Sequence, residues 1–479
     1  MSAPQLSKLR VGLLGLGLEA YWAQFDGLRE RLAGYLDEAE RKISAPSRII
    51  VNLGLLDSPD RSAAVARQCR VEDIDILMVY VTTYSLSSVL LPVLRRNKVP
   101  VILLNLQPSA AIDYAAFNKL PDRVAMTGEW LAHCNACAVP EITNMMTRLG
   151  MKFEQVTGVL HDDPACWTEI DGWLRAAEVM HALEHTRLGL MGHYYSGMLD
   201  IATDLLQVSA RFGISIEMLE VDELSALRRK ASESSVQRKV DEFGAFFDVD
   251  PDCPEVELKR AAITAVALEQ LADERSLGAM AYYYKGVGIA ENMDTMSSII
   301  LGTTLLTATG VPVAGEYEVK NVVAMKIMDL FGAGGSFTEY YAMDLRADLV
   351  LMGHDGPGHP GIASGKLKVR PLQVYHGKVG NGLSVEMSVK PGPVTLLSVA
   401  EDREHGFKLL VAEGESVAGA ILEIGNTNSF YRFSLGARGF VEQWNSHGPA
   451  HHCAIGTGHI ASRLAKLASL LDLPIIRVC

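Results

Sequence analysis

Short runs made almost wholly of apolar residues punctuate the first part of the chain: "RVGLLGL", "RIIVNLG", "DILMVYV" and "PVILLNL". Between them lie longer polar stretches of helical character, such as "FDGLRERLAGYLDEAERKI" and "SPDRSAAVARQCRVED". A strand with no polar position is covered on both faces, the condition of a strand in a parallel sheet. Strands alternating with helices predict βαβ units and a doubly wound sheet. The rhythm resumes after residue 185, with "TRLGLMG" as a strand, "GMLDIATDLLQVSARFG" as a helix ending at Gly213, and "ISIEMLEV" as the next strand. A charge-rich helical stretch over about 222–275 and the run "LGAMAYYY" complete a second α/β pattern.

The period changes after residue 333. Alternating runs, "LKVRPLQVYHG", "LSVEMSVK", "VTLLSVA", "FKLLVAEG" and "AGAILEI", arrive with Gly/Pro turns between them, followed by a helix "HIASRLAKLASLLD" and a closing strand "PIIRV". Alternation with tight turns predicts antiparallel pairing. The expected fold is α/β: two doubly wound parallel-sheet domains over residues 1–185 and 186–333, then a mostly antiparallel β domain over 334–479.

Composition narrows the function. The 479 residues are 48% hydrophobic and 21% charged, enough for large cores. A net charge of -13 and the lack of any Lys/Arg run exclude nucleic acid as a partner held through its phosphates. The uncharged stretch "TMSSIILGTTLLTATGVPVAG" has the length of a membrane span. Its Thr, Ser, Gly and Pro content reads instead as a helix buried in a large protein. With no apolar leader at the N-terminus either, a soluble cytoplasmic protein is expected. Seven scattered cysteines do not form a disulfide framework. Cys134 and Cys137, in "CNAC", lack the further ligands of a zinc site and a thioredoxin-like context, and read as two small buried thiols. Gly12, Gly15 and Gly17 do not have the G-x-G-x-x-G spacing of a dinucleotide site.

The chemistry concentrates between 315 and 354, "GEYEVKNVVAMKIMDLFGAGGSFTEYYAMDLRADLVLMGH". Val319, Val322, Val323, Ile327 and Leu330 mark one apolar helix face, and Gly332, Gly334 and Gly335 end the helix. Glu316 then lies at the helix N-terminal edge, where free N–H groups favour an anion. "SFTEYY" predicts a strand with Phe337, Glu339 and Tyr341 on one face. The run "ADLVLMG" predicts a strand ending in the turn "GHDGPGHPG", which holds His354, Asp355 and His359. A second histidine group, "SHGPAHHCAIGTGH", holds His447, His451, His452 and His459 in what reads as an ordered loop. Two glutamates and two histidines form a mixed O/N set suited to a Mn²⁺-like divalent ion.

These segments resemble the L-arabinose isomerases and, more broadly, the L-fucose/L-arabinose isomerase superfamily. "GEYEVK", "GGSFTEYY", "DLVLMGH" and "GPAHHC" stand in the order of that family's "GEGDWK", "GGTSFMEDY", "DLVLGSH" and "GAHHT" segments. The resemblance implies Glu316, Glu339, His354 and His452 as metal ligands, with Glu316 and Glu339 also the acid/base pair of an aldose–ketose isomerisation through a cis-enediol. The implied ion is Mn²⁺, with Co²⁺ or Mg²⁺ as substitutes. His133 in "LAHCNA" and Met198 in "GHYYSGMLDIATD" fall at substrate-contacting positions, and His359 is expected to line the pocket or orient His354, as is Asp355. The resemblance further implies a homo-oligomer, tetramer or hexamer, with sites shared between subunits. The chain departs from the family at its start, where "GLGLEAYWAQF" replaces "GSQxLYG", and in the loop after His354. Both changes touch the sugar, leaving open L-arabinose, another deoxy, branched or modified aldose, or a sugar-binding protein without catalysis.

Overall fold

The computed structural model describes residues 7–283, 285, 288–372, 381–404 and 406–479. Contacts part the chain into two compact units, of which residues 7–181 form one. Its strands are β1 (Leu9–Leu16), β2 (Arg48–Leu56), β3 (Ile76–Val81), β4 (Val101–Gln107) and β5 (Glu154–Val159). They are parallel, in the order β2-β1-β3-β4-β5. The uninterrupted run of β3 is buried at all six positions, as its lack of polar residues requires. The helix Leu28–Ile43 buries Leu28, Leu32, Tyr35, Leu36, Ala39 and Ile43, a stripe at helical spacing, and leaves its charges outside. Each leucine so buried contributes roughly 1.5–3 kcal/mol.

The second unit comprises residues 182–479. Its strands are β6 (Arg187–Met191), β7 (Ser215–Leu219), β8 (Asp248–Val249), β9 (Ala279–Tyr282), β10 (Val313–Ala314), β11 (Gly334–Asp344), β12 (Leu349–His354), β13 (Lys368–Leu372), β14 (Gly382–Glu386), β15 (Gly392–Asp402), β16 (Gly406–Val417), β17 (Thr427–Phe433), β18 (His452–Thr457) and β19 (Ile475–Arg477). A parallel sheet has the order β10-β9-β6-β7. A larger, mainly antiparallel sheet has the order β15-β18-β11-β12-β17-β16, and β15 pairs back on β16, closing six strands into a barrel-like ring with β19 alongside. A three-stranded sheet, β14-β13-β8, completes the unit. The α/β class with two parallel sheets and a C-terminal antiparallel one is as the patterning predicts.

The chain is not parted at 333/334 because one helix, Val319–Leu330, packs on both sheets. It lies against β11, β15 and β18 on one side and β9 and β10 on the other. Every residue from Val319 to Met328 is therefore buried, Lys320, Asn321 and Lys326 included, rather than the single apolar face the valine spacing predicts. Gly335, at φ +128, lets the first turn of β11 meet this helix: a Cβ there would stand 2.7 Å from the Met325 carbonyl oxygen.

Three local expectations are corrected. In "GMLDIATDLLQVSARFG" only Leu205–Phe212 is an α-helix, because the Asp204 carboxylate caps it by accepting from Leu206 and Gln207 N–H groups. The long uncharged stretch is two helices, Ala290–Ser297 and Ile300–Ala308, and then β10; among the described residues no helix is long and apolar enough to cross a membrane. "AGAILEI" is not a strand. The Asn428 side chain bonds both the N–H and the carbonyl of Leu422, taking backbone groups that a ladder would use, and the strand follows at Thr427–Phe433. The end of "LKVRPLQVYHG" lies outside the described residues.

Candidate metal centre

Register brings the centre together. β11 pairs with β18 so that Glu339 opposes His452, and with β12 so that Glu339 opposes Gly353, the residue before His354. His452 is thus the first residue of a strand, not part of a loop. Phe337, two residues before Glu339 on β11, is fully buried and floors the group. Its ring centroid lies 4.1 Å from that of His354 and 4.5 Å from that of His452. A bulge between Tyr340 and Ala342 breaks the simple alternation expected for Tyr341.

Glu316 enters from the turn between β10 and the buried helix. Glu316 and Tyr317 both adopt left-handed backbone, at φ 58° and 61°. For non-glycine residues such conformations cost on the order of 1–3 kcal/mol each. The surroundings hold them there: Tyr317 N–H donates to the Tyr282 carbonyl at 2.9 Å and Glu318 N–H to that of Gly315 at 3.0 Å. The strained turn aims Glu316 at the histidines. Its Oε2 is 3.4 Å from His452 Nε2 and its Oε1 is 4.0 Å from His354 Nε2.

Both rings are oriented from behind. His354 Nδ1 lies 2.5 Å from the Asp355 carbonyl oxygen, an acceptor, so Nδ1 carries the hydrogen and Nε2 keeps its lone pair. His452 Nδ1 lies 3.3 Å from Glu318 Oε2, which in its ionised form fixes the same tautomer. Glu318 is wholly buried. Glu339 Oε2 meets His451 Nε2 at 2.6 Å, and the Asp200 carboxylate accepts from His451 N–H at 2.8 Å.

Burial moves four of the group's side chains toward their neutral forms. Burial, then the Glu339 charge, pushes Glu316 up to about 7. Burial pushes Glu318 up to about 8. Burial, then His452, pushes His354 down to about 4. Burial, then His451, pushes His452 down to about 3. Burial would raise Glu339 too, but the His451 hydrogen bond and the neighbouring rings outweigh it and hold its carboxyl below the ordinary range. The same hydrogen bond raises His451. Glu316 Oε2, Glu318 Oε1 and His452 Nε2 are buried without a hydrogen-bond partner among the described residues. Of these, Glu316 Oε2 and His452 Nε2 lie 3.4 Å apart, and unpartnered buried donors brought together in this way are what a cation would satisfy. Two overlapping triads have donor atoms within 4.8 Å of one another: Glu316, His354 and His452, and Glu339, His451 and His452. This donor set fits a divalent ion with mixed O/N preference.

The four residues expected as ligands, Glu316, Glu339, His354 and His452, are therefore neighbours in space. His359 is not with them. It is buried beside Gly334, with Nε2 3.6 Å from Asp329 Oδ1 near the far end of the buried helix. Asp355 orients His354, through its backbone carbonyl. Met198 is half-buried at the start of a 3₁₀ turn, two residues before Asp200. His133 belongs to the first unit. Its Nε2 lies 3.3 Å from Ser109 Oγ and its Nδ1 3.1 Å from the Glu129 carbonyl oxygen. It lines a cleft of about 560 Å³ with Arg31, Tyr35 and Phe117. The patterns did not single out Glu318, His451 or Asp200. The paired "E-x-E" and "HH" of "GEYE" and "AHHC" were the available signals.

Residues 334–474 match the family described as the L-arabinose isomerase C-terminal domain. Over 468 residues the chain is 23% identical to an L-arabinose isomerase of Nocardioides sp., covering 95% of this chain and 90% of that protein. It is 24% identical over 360 residues to an L-arabinose isomerase of Vibrio parahaemolyticus, 71% of this chain and 70% of the other. A third, from Clavibacter sepedonicus, is 21% identical over 444 residues, 89% and 84% of the two chains. The order of segments in the sequence, the geometry they build and this similarity agree: residues 334–474 match the L-arabinose isomerase C-terminal domain, and the chain is similar to L-arabinose isomerases over most of its length.

Proposed function

We propose that the protein is a metal-dependent aldose–ketose isomerase acting on L-arabinose or a related small aldose. One observation carries the reading: Glu316 and Glu339 meet His354 and His452 in two overlapping groups whose donor atoms lie within 4.8 Å of one another, with the two imidazoles oriented Nε2 inward. Glu316, Glu339, His354 and His452 would hold the ion, Mn²⁺ by preference and Co²⁺ or Mg²⁺ as substitutes. When bound, such an ion supplies Lewis-acid stabilisation of negative charge developing on substrate oxygens, worth several kcal/mol.

The protein's own groups divide the proton work. Glu339, held ionised by His451, takes the proton from the carbon beside the open-chain sugar's carbonyl. Glu316, on the other side of the group, serves the other end of the cis-enediol, where a proton must be delivered. Phe337 excludes water beneath the reacting carbons. His133 and Met198 serve as sugar contacts. His359 has no part in this reading, because its ring faces Asp329. The same reading takes the protein to act in the cytoplasm as a homo-oligomer, tetramer or hexamer.

Glu316→Gln keeps the side-chain volume and removes the proton-transferring oxygen. With L-arabinose and a panel of aldoses plus Mn²⁺, its kcat is expected to fall by about 10²–10⁴-fold, with near-native circular dichroism. Wild-type rates in the variant would overturn the assignment. No turnover of any aldose by the metal-loaded wild-type chain would favour a sugar-binding protein.

A further inference from the structure

Cys134 and Cys137 are not the two buried thiols that the motif suggests. They form a disulfide across three residues, with Cα atoms 5.9 Å apart. Cys134 is buried, whereas Cys137 is exposed. The bond closes the turn that follows His133, whose own turn is held by His133 N–H donating to the Trp130 carbonyl at 2.9 Å and Cys134 N–H to that of Leu131 at 3.2 Å. The turn is anchored from below, where the Leu131 carbonyl accepts from Thr83 Oγ1 at 2.7 Å and the buried Asn135 amide donates to Asn105 Oδ1 at 2.7 Å. The next element, the helix Val139–Arg148, begins two residues after Cys137, and Ala138 at its cap offers no side-chain acceptor.

Four of the other five cysteines have the opposite character, while Cys479 is half-buried near the end of the chain. Cys69, Cys166, Cys253 and Cys453 are buried, and burial raises all four, Cys69 and Cys253 to about 11 and Cys453 to about 12. Those thiols are inert. A pair with one exposed sulfur and one sheltered partner, three residues apart, is the arrangement that exchanges.

We propose that Cys134 and Cys137 form a thiol–disulfide exchange site that cycles with low-molecular-weight thiols and disulfides, with Cys137 as the exchanging sulfur. In the oxidising direction the Cys137 thiolate attacks one sulfur of a small disulfide, forming a mixed disulfide and releasing one small thiolate. The Cys134 thiolate then attacks Cys137 Sγ, closing the intramolecular bond and releasing the second. The protein loses two electrons and two protons, and the small disulfide gains them as two thiols. In the reducing direction, opening the bond frees Ala136 and Cys137 from the turn beside His133.

The full-length chain is equilibrated in glutathione buffers of graded composition, quenched in acid and alkylated, and the labels are mapped by mass spectrometry. Cys134 and Cys137 should gain label together as reduction proceeds. Each tenfold change in the buffer's squared-thiol-to-disulfide ratio should move their reduced-to-oxidised ratio about tenfold. Cys69, Cys166, Cys253 and Cys453 should take no glutathione adduct in the folded chain. Cys134→Ser should trap glutathione on Cys137, because the resolving sulfur is gone. A pair whose state ignores the buffer, or a Cys134→Ser chain without the adduct, would overturn the proposal. The readout is thiol chemistry, so its outcome is independent of whether the chain isomerises sugars.

Discussion

At the scale of single residues, Glu318 decides how firmly His452 is held. Its Oε2 lies 3.3 Å from Nδ1 of a fully buried ring, and no other partner of that nitrogen competes among the described residues. Groups that fix a ligating histidine's tautomer typically matter by about 10–100-fold in metal affinity. Glu318→Ala is therefore expected to weaken Mn²⁺ binding by that factor in calorimetric titration. His359→Ala, at a ring turned to Asp329, should leave the affinity unchanged. Equal losses in the two variants would mean that packing, not orientation, had been disturbed. The comparison also shows what the sequence could reveal. Glu316, Glu339 and His354 stand out because glycine-bounded segments and strand ends make them legible, whereas His452 is picked from four nearby histidines only by the resemblance. Which of two adjacent histidines faces inward depends on strand register, and the role of Glu318 depends on total burial; both are tertiary properties. His359 misled because a Gly/Pro-rich turn fixes no direction for its side chains.

At the scale of elements, β12 places His354, and its fit to β17 has no slack. A Cβ on Gly353 would stand 1.9 Å from the Thr427 carbonyl oxygen and 2.8 Å from Asn428 Cα, both backbone atoms in the paired strand. Backbone cannot rotate aside as a side-chain tip can. Gly353→Ala is expected to cost about 1–3 kcal/mol or more, lowering the melting temperature by several degrees and weakening Mn²⁺ binding through the next residue. Gly244→Ala, in the helix Glu233–Phe246 with nothing within 4 Å, should instead stabilise by about 0.5–1 kcal/mol. A tolerated Gly353→Ala would show that the strands can separate without disturbing the centre. Long strands and helices were readable here because continuous apolar runs and Gly/Pro punctuation agree with the final burial. "AGAILEI" alternates without forming a strand because alternation implies a ladder only when no side chain takes the backbone groups first, as Asn428 does. The valine stripe of Val319–Leu330 under-reported burial because a helix between two sheets has no solvent face.

For the molecule as a whole, the six titrating groups of the centre all lie in residues 182–479, and together they make metal-free stability depend on pH from both sides. Glu316 and Glu318 are raised from 4.5 to about 7 and about 8, so between those limits the folded chain binds more protons than the unfolded one. Their effect is a stability that falls as pH rises through that window. His354 and His452 are lowered from 6.5 to about 4 and about 3, so the unfolded chain binds more protons over that range and stability rises with pH there. From about 4.5 to 6.5 two groups act in each direction and offset one another. Above 6.5 only the glutamates remain, joined by His451, whose raised pKa makes its ion pair fail as pH rises. Below 4.5 the histidines dominate, joined by Glu339, whose lowered pKa makes its contribution vanish as pH falls. Each proton of difference changes stability by about 1.4 kcal/mol per pH unit. Urea denaturation of chelator-treated protein should therefore show a plateau between about 4.5 and 6.5, with decline on both sides. Added Mn²⁺ should abolish the alkaline decline, because a bound cation favours the ionised carboxylates and binds the folded state selectively. Metal-free stability that kept rising through pH 8 would contradict the placement of Glu316 and Glu318 in a shared buried site.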